Sequence, residues 1–125
     1  MKSQPLVFSH NDFQRSNVIK SDTDEYKVID FEFTGNNDEI YDIACFGNGD
    51  VKEGFNLLNS YFKNPNKEQI LRFYLWRILI SLQWRNVALI KHYRGEGKTH
   101  GFDFTKVAGH FLDNALDAYN NITRQ

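Results

Sequence analysis

The chain has 125 residues, a formal net charge of −1, and 41% hydrophobic and 25% charged side chains, which fits one globular domain. That balance argues against a nucleic-acid surface or a polybasic membrane patch, so neither partner is expected. A single cysteine, Cys45, excludes an internal disulfide and reads as a small buried residue in a reducing compartment.

Met1-Lys2-Ser3-Gln4-Pro5 holds no apolar core for a signal peptide. The most apolar stretch, Phe73 to Leu82, is interrupted by Arg77 and is too short for a bilayer. The chain therefore reads as cytoplasmic. Leu6-Val7-Phe8 predicts a strand, and Ser9 to Ser16 a loop. Asn17 to Lys20 returns as a strand, Ser21 to Glu25 turns, and Tyr26 to Asp30 is the second arm of a hairpin. Phe31 to Asn37 reads as a loop. Asp38 is a candidate N-cap for a helix from about Glu39 to Phe46, which Gly47-Asn48-Gly49 should stop.

A second helix is expected over Lys52 to Phe62, with Phe55, Leu58 and Phe62 on one face, ended by Asn64-Pro65-Asn66. A long helix should run from Lys67 to about Tyr93, roughly 40 Å at 1.5 Å per residue. Its apolar positions cover most of the circumference, which predicts a central, buried helix. Arg94 to Lys98 reads as an exposed loop. A last helix from Phe104 or Thr105 to about Asn120 should turn Val107, Phe111, Leu112, Ala115 and Leu116 inward. The fold class is α+β and mostly helical: a β-hairpin carrying a loop of polar residues, packed on a helical bundle. The expected organisation is one domain, with the hairpin over 1–36 and the helices over 37–125.

The chemistry concentrates in His10-Asn11-Asp12-Phe13-Gln14-Arg15-Ser16-Asn17, which has the spacing H-x-D-x-x-x-x-N, and in Val28-Ile29-Asp30-Phe31-Glu32 after the hairpin. This order suits a phosphoryl-transfer loop. Asp12 can take a proton from a substrate hydroxyl, and Asn17 and Asp30 can offer oxygen ligands to magnesium. Each residue alone could merely cap a turn; their joint order between strand-like flanks carries the reading. His92, His100 and His110 show no zinc-ligand spacing. Gly95-Glu96-Gly97-Lys98 follows a helix, the wrong context for a phosphate cradle.

Pro5 to Asp12 with Asn17, then Ile29-Asp30-Phe31-Glu32-Phe33, then Tyr41-Asp42-Ile43-Ala44, resembles the choline and ethanolamine kinase family. The long helix, the glycine loop and Gly101-Phe102-Asp103-Phe104 before the last helix extend the resemblance. It implies part of the C-terminal lobe of a protein-kinase-like fold. It further implies Asp12 as catalytic base, Asn17 and Asp30 as Mg2+ ligands, His10 and Asp42 as supports of the loop, and ATP as co-substrate. The alcohol would be choline or ethanolamine, with an aminoglycoside-type acceptor as the alternative. Trp84 and Phe104 fall at aromatic positions that the resemblance places around the substrate cation. Glu32 reads as a carboxylate on the substrate side or supporting the site, or as a solvated one. Val87 departs from the pattern where a second tryptophan is usual. Gly49 stands where a carboxylate is common, with Asp50 beside it as a possible substitute.

Such a kinase needs a glycine-rich loop and a strand lysine to hold the nucleotide, and this sequence shows neither before Pro5. The expectation is a partial lobe, completed by a separate N-terminal lobe or left as a non-catalytic domain. An exposed apolar face around Phe8, Phe31 and Phe33 should then mediate that docking or self-association.

Overall fold

A computed structural model describes residues 5–124. The leaderless reading of Met1 to Gln4 falls outside the described residues, as does the side chain of His100. Strand β1 is Leu6–Ser9, β2 Val18–Lys20, β3 Tyr26–Val28 and β4 Gly35–Asp38. The helices are α1 Tyr41–Gly49, α2 Val51–Phe62, α3 Lys67–Tyr93, α4 Glu96–His100 and α5 Phe104–Thr123. The chain divides into two compact units, Met1–Phe73 and Tyr74–Gln125, with the boundary inside α3. None of the helices among the described residues is long and apolar enough to cross a membrane.

In the first unit β2 and β3 form the expected hairpin, with Val18 opposite Val28 and Lys20 opposite Tyr26. Its turn closes on Ser21, whose N–H donates to the Glu25 carbonyl at 2.8 Å and whose hydroxyl sits 2.9 Å from that of Thr23. A strand the sequence did not announce, β4, pairs antiparallel with β1 from Leu6 opposite Asp38 to Ser9 opposite Gly35. Gly-Asn-Asn-Asp has poor strand propensity. Here long-range partners override it, chiefly the open edge of β1 and the anchoring of Asp38 by Arg72.

Asp38 is thus part of β4 rather than a cap directly before Glu39. Its Oδ1 accepts the Ile40 N–H at 2.9 Å, and both carboxylate oxygens accept from Arg72, at 3.1 and 2.9 Å. Both residues are buried, 8% and 5% exposed. Ile40, Ile43, Ala44, Leu58 and Phe73 form the buried apolar centre of this unit.

Helix α1 continues through Gly47-Asn48-Gly49 instead of stopping at Phe46, and Gly47 serves packing rather than a stop. A Cβ on Gly47 would lie 2.7 Å from the Phe73 ring, and one on Gly54 of α2 would overlap the Gly47 Cα. The two helices therefore cross at bare backbone. Gly54→Ala should cost about 1–3 kcal/mol through forced backbone shifts. Thermal unfolding reads this, and an unchanged midpoint would mean that the crossing can open freely. Asp50 caps α2, accepting the N–H groups of Lys52 and Glu53 at 3.0 and 3.1 Å. Its Oδ1 is therefore committed to the helix end, which counts against it as a substitute substrate carboxylate.

In the second unit, α3 is not buried all round. Leu79, Leu82, Trp84 and Ile90 are exposed, whereas Tyr74, Arg77, Ile80, Ser81 and Ala88 are buried. The Arg77 guanidinium lies 3.5 Å from the Asp117 carboxylate. On α5 the buried stripe is Ala108, Ala115 and Ala118, while Leu112 and Leu116 are exposed. The small residues, not the leucines, thus mark the inner face. The expected loop after Tyr93 contains a single helical turn, α4, set between left-handed Gly95 (φ 74°) and Gly101 (φ 64°). Glycine takes that conformation without the Cβ clash that penalises other residues.

Candidate active site

The loop after β1 is pinned from below by α1. Asp42, in the first turn of α1, accepts the His10 N–H on Oδ2 and the Asn11 N–H on Oδ1, both at 2.8 Å. One carboxylate thus fixes two consecutive peptides. Asn11 adopts φ 67°, a left-handed conformation that asparagine tolerates better than most residues. Phe13 packs its ring against Phe46 of α1 at 5.5 Å between centroids, giving the loop an apolar foot.

His10 is 6% exposed and its ring joins two backbones. Nδ1 accepts the Asp12 N–H at 3.2 Å, and Nε2 lies 2.7 Å from the Ile29 carbonyl oxygen. An amide can only donate and a carbonyl can only accept. These partners therefore select the neutral tautomer with its proton on Nε2. The Phe31 ring covers the imidazole at 4.9 Å.

Asp12 sits above this anchor, partly exposed. Its Oδ1 accepts from Gln14 Nε2 at 3.2 Å, and its Oδ2 from Asn17 Nδ2 at 3.2 Å. Asn17 is buried and also donates to the Asp12 carbonyl at 2.8 Å. The hairpin joins Asn17 to the segment of Asp30, since the Ile29 N–H donates to the Asn17 carbonyl at 2.9 Å. Asp30 itself is exposed and takes φ 66°. That region is uncommon for non-glycine residues, though aspartate and asparagine enter it more readily than most.

The donor set suits a hard divalent cation. The Asn17 amide nitrogen is turned to Asp12, which leaves its carbonyl oxygen for a ligand, and Asp30 adds an unshielded carboxylate. Among the described residues no group of three or more His, Cys, Asp and Glu gathers. A cation here would complete its shell with water and phosphate oxygens, as magnesium commonly does.

Against this geometry, a comparison with protein families is decisive. The family model for choline/ethanolamine kinase matches residues 1–69. The chain belongs to the choline/ethanolamine kinase family. No curated protein and no solved structure gives a significant match to it. The family match lies within the first unit and takes in His10, Asp12, Asn17, Asp30, Glu32 and Asp42. Trp84 and Phe104 belong to the second unit, beyond the matched residues. Trp84 is 37% exposed on α3. Phe104 meets Phe102 edge-on at 4.8 Å and carries the Lys91 ammonium 5.7 Å from its ring centre. Glu32 is exposed beside Asp30. Phe8, Phe31 and Phe33 are exposed by 72, 50 and 54%, and Leu6 by 67%.

Three residues in this first-unit site were not singled out in the sequence: Asn11, Gln14 and Asn37. Gln14 contacts the carboxylate of Asp12 directly. Asn37 Nδ2 donates to Asn11 Oδ1 at 3.1 Å. The positions of Asn11 and Gln14 inside the eight-residue motif were the available signal.

Cys45 lies beneath the loop, its sulfur within hydrogen-bond reach of Tyr41 and of the Phe13 backbone. Burial, followed by the charges of Asp42 and Asp12, pushes its thiol from 9.0 to about 12. The thiolate is the reactive form, so a disulfide reagent at pH 8 should modify the native chain on the order of a thousandfold more slowly than the unfolded one. The native state also holds this proton longer than the unfolded chain does. The corresponding stability is present below about pH 9.0 and is lost as pH rises toward about 12. Rapid labelling of native protein would contradict that burial.

Proposed function

We propose that this chain supplies the base and the metal ligands for ATP- and Mg2+-dependent phosphorylation of a small amino alcohol, choline or ethanolamine. The observation that carries the reading is the pinned loop. Asp12 is held through its backbone by His10, through its side chain by Asn17 and Gln14, and the loop by Asp42, in a chain of this family. In the proposed step the Asp12 carboxylate accepts the proton of the substrate hydroxyl as its oxygen bonds to the γ-phosphorus. The bond from that phosphorus to the bridging oxygen breaks, and ADP leaves. Asn17 Oδ1 and Asp30 would hold the cation, whose role is to neutralise charge on the phosphates.

Preorganisation is what the loop contributes. Donors already aimed at the carboxylate mean that little reorganisation is needed at the moment of transfer. For the substrate cation, Trp84 and Phe104 are the proposed aromatic faces, each worth about 0.5–2 kcal/mol. Glu32 is proposed as a carboxylate on the substrate side. The exposed face of Leu6, Phe8, Phe31 and Phe33 is proposed as the seat of a nucleotide-holding lobe. In its absence the same face would promote self-association.

The test is release of ADP from Mg-ATP with choline and with ethanolamine. It is run on this chain alone and with a lobe carrying a glycine-rich loop and a strand lysine. Turnover dependent on the amino alcohol supports the reading. No turnover in any combination, together with no binding of Mg-ATP, overturns it in favour of a non-catalytic domain.

A further inference from the structure

Asn11 does more than fill the middle of a motif. Its amide N–H is held by Asp42, while its side chain reaches across to the segment that follows Asp30. Asn11 Nδ2 donates to the Phe33 carbonyl at 2.9 Å, and Asn11 Oδ1 accepts from Asn37 Nδ2 at 3.1 Å. The Phe33 carbonyl belongs to a turn in which the Thr34 N–H donates to the Phe31 carbonyl at 3.2 Å. On the other side of Asp30, the Ile29 carbonyl is held by His10 and the Ile29 N–H by Asn17. The backbone carrying Asp30 is therefore gripped before and after it by two adjacent residues, His10 and Asn11, which share one carboxylate anchor, Asp42.

We propose that Asn11 is a positioning residue that sets Asp30 relative to Asp12, so that the cation site and the base move as one body. The inference rests on the metal role assigned to Asp30 under the proposed function. Asp30 needs such a grip. It is solvent-exposed, and its φ of 66° lies in a region that non-glycine residues occupy uncommonly. Both ends of the Asn11 carboxamide are used, one as donor and one as acceptor, so neither aspartate nor a shorter polar residue reproduces it.

The test uses Asn11→Gly and Asn11→Asp in the full chain. Glycine accepts the left-handed backbone and removes the whole side chain, carboxamide included. Aspartate keeps the acceptor for Asn37 and loses the donor to Phe33. Two readouts separate the claims. Amide hydrogen exchange at Thr34 should speed up in both variants while exchange across the β2–β3 hairpin stays at the wild-type rate. Mn2+ is the metal probe, followed by paramagnetic broadening of the Asn17 and Asp30 amide signals. Its affinity should fall about tenfold or more in both variants, the loss seen when groups that orient a metal ligand are removed. Wild-type Mn2+ binding with unchanged affinity in the variants overturns the inference and leaves the proposed function standing. No broadening in the wild type overturns the metal role of Asp30, and the coupling with it. If Asn11→Gly loses its native circular dichroism, Asn11→Asp decides alone.

Discussion

Asp12→Asn should lower kcat by about 10²–10⁴-fold with the fold intact, the span expected when a positioned general base is removed. The substitution is nearly isosteric, and it keeps an oxygen for Gln14 or Asn17. It deletes the negative charge that would take the hydroxyl proton. KM for the alcohol should change far less than kcat, because the loss falls in the transition state rather than in binding. Steady-state kinetics in the combination that shows turnover reads both parameters, and circular dichroism checks the fold. A variant that keeps most of the wild-type kcat would remove Asp12 from the chemistry. Asp42→Asn provides a contrast. It leaves the base in place but loosens two peptide anchors, so both stability and kcat should fall.

The second large effect concerns stability. Asp38→Ala should destabilise the chain by about 3–5 kcal/mol, because it leaves the buried Arg72 guanidinium without its counter-charge. It also orphans the Ile40 N–H at the entrance to α1. Such a loss is a large share of the roughly 5–15 kcal/mol that holds a typical domain. Arg72→Met should also destabilise, because it leaves the buried Asp38 carboxylate without its counter-charge, although Asp38 keeps its bond to Ile40. Urea unfolding followed by far-UV circular dichroism gives both values. Equal midpoints for wild type and Asp38→Ala would show that the pair contributes nothing. The effect would also reach the site, because Asp38 lies four residues before the carboxylate that clamps His10 and Asn11.

The sequence disclosed most where local pattern and geometry coincide. The hairpin arms, the span of α2 and both ends of α3 follow from alternation, periodicity and turn residues, and the structure places them where expected. The motif likewise puts Asp12, Asn17 and the Asp30 segment in one neighbourhood. Interactions between distant residues were not readable. Nothing around Arg72 announces a partner 34 residues earlier, and β4 contains no residue that favours a strand. Gly47 reads as a helix stop until Gly54 and Phe73 are seen to need its missing Cβ. The exposed face of α3 was misjudged for a related reason. An apolar circumference implies burial only if enough chain is available to cover it, and a sequence does not say which side goes uncovered.

The clamp on the loop has a kinetic side. Its hydrogen bonds link residues only 32, 22 and 19 positions apart. The entropy of closing a loop rises slowly with its length, each doubling adding only about 0.6 kcal/mol. Contacts of this separation need none of the chain beyond Asp42, so they can form before contacts that wait for α2 and α3. The Asp12 loop is thus wired as a short circuit within residues 10–42, and its shape needs no contact from later parts of the chain.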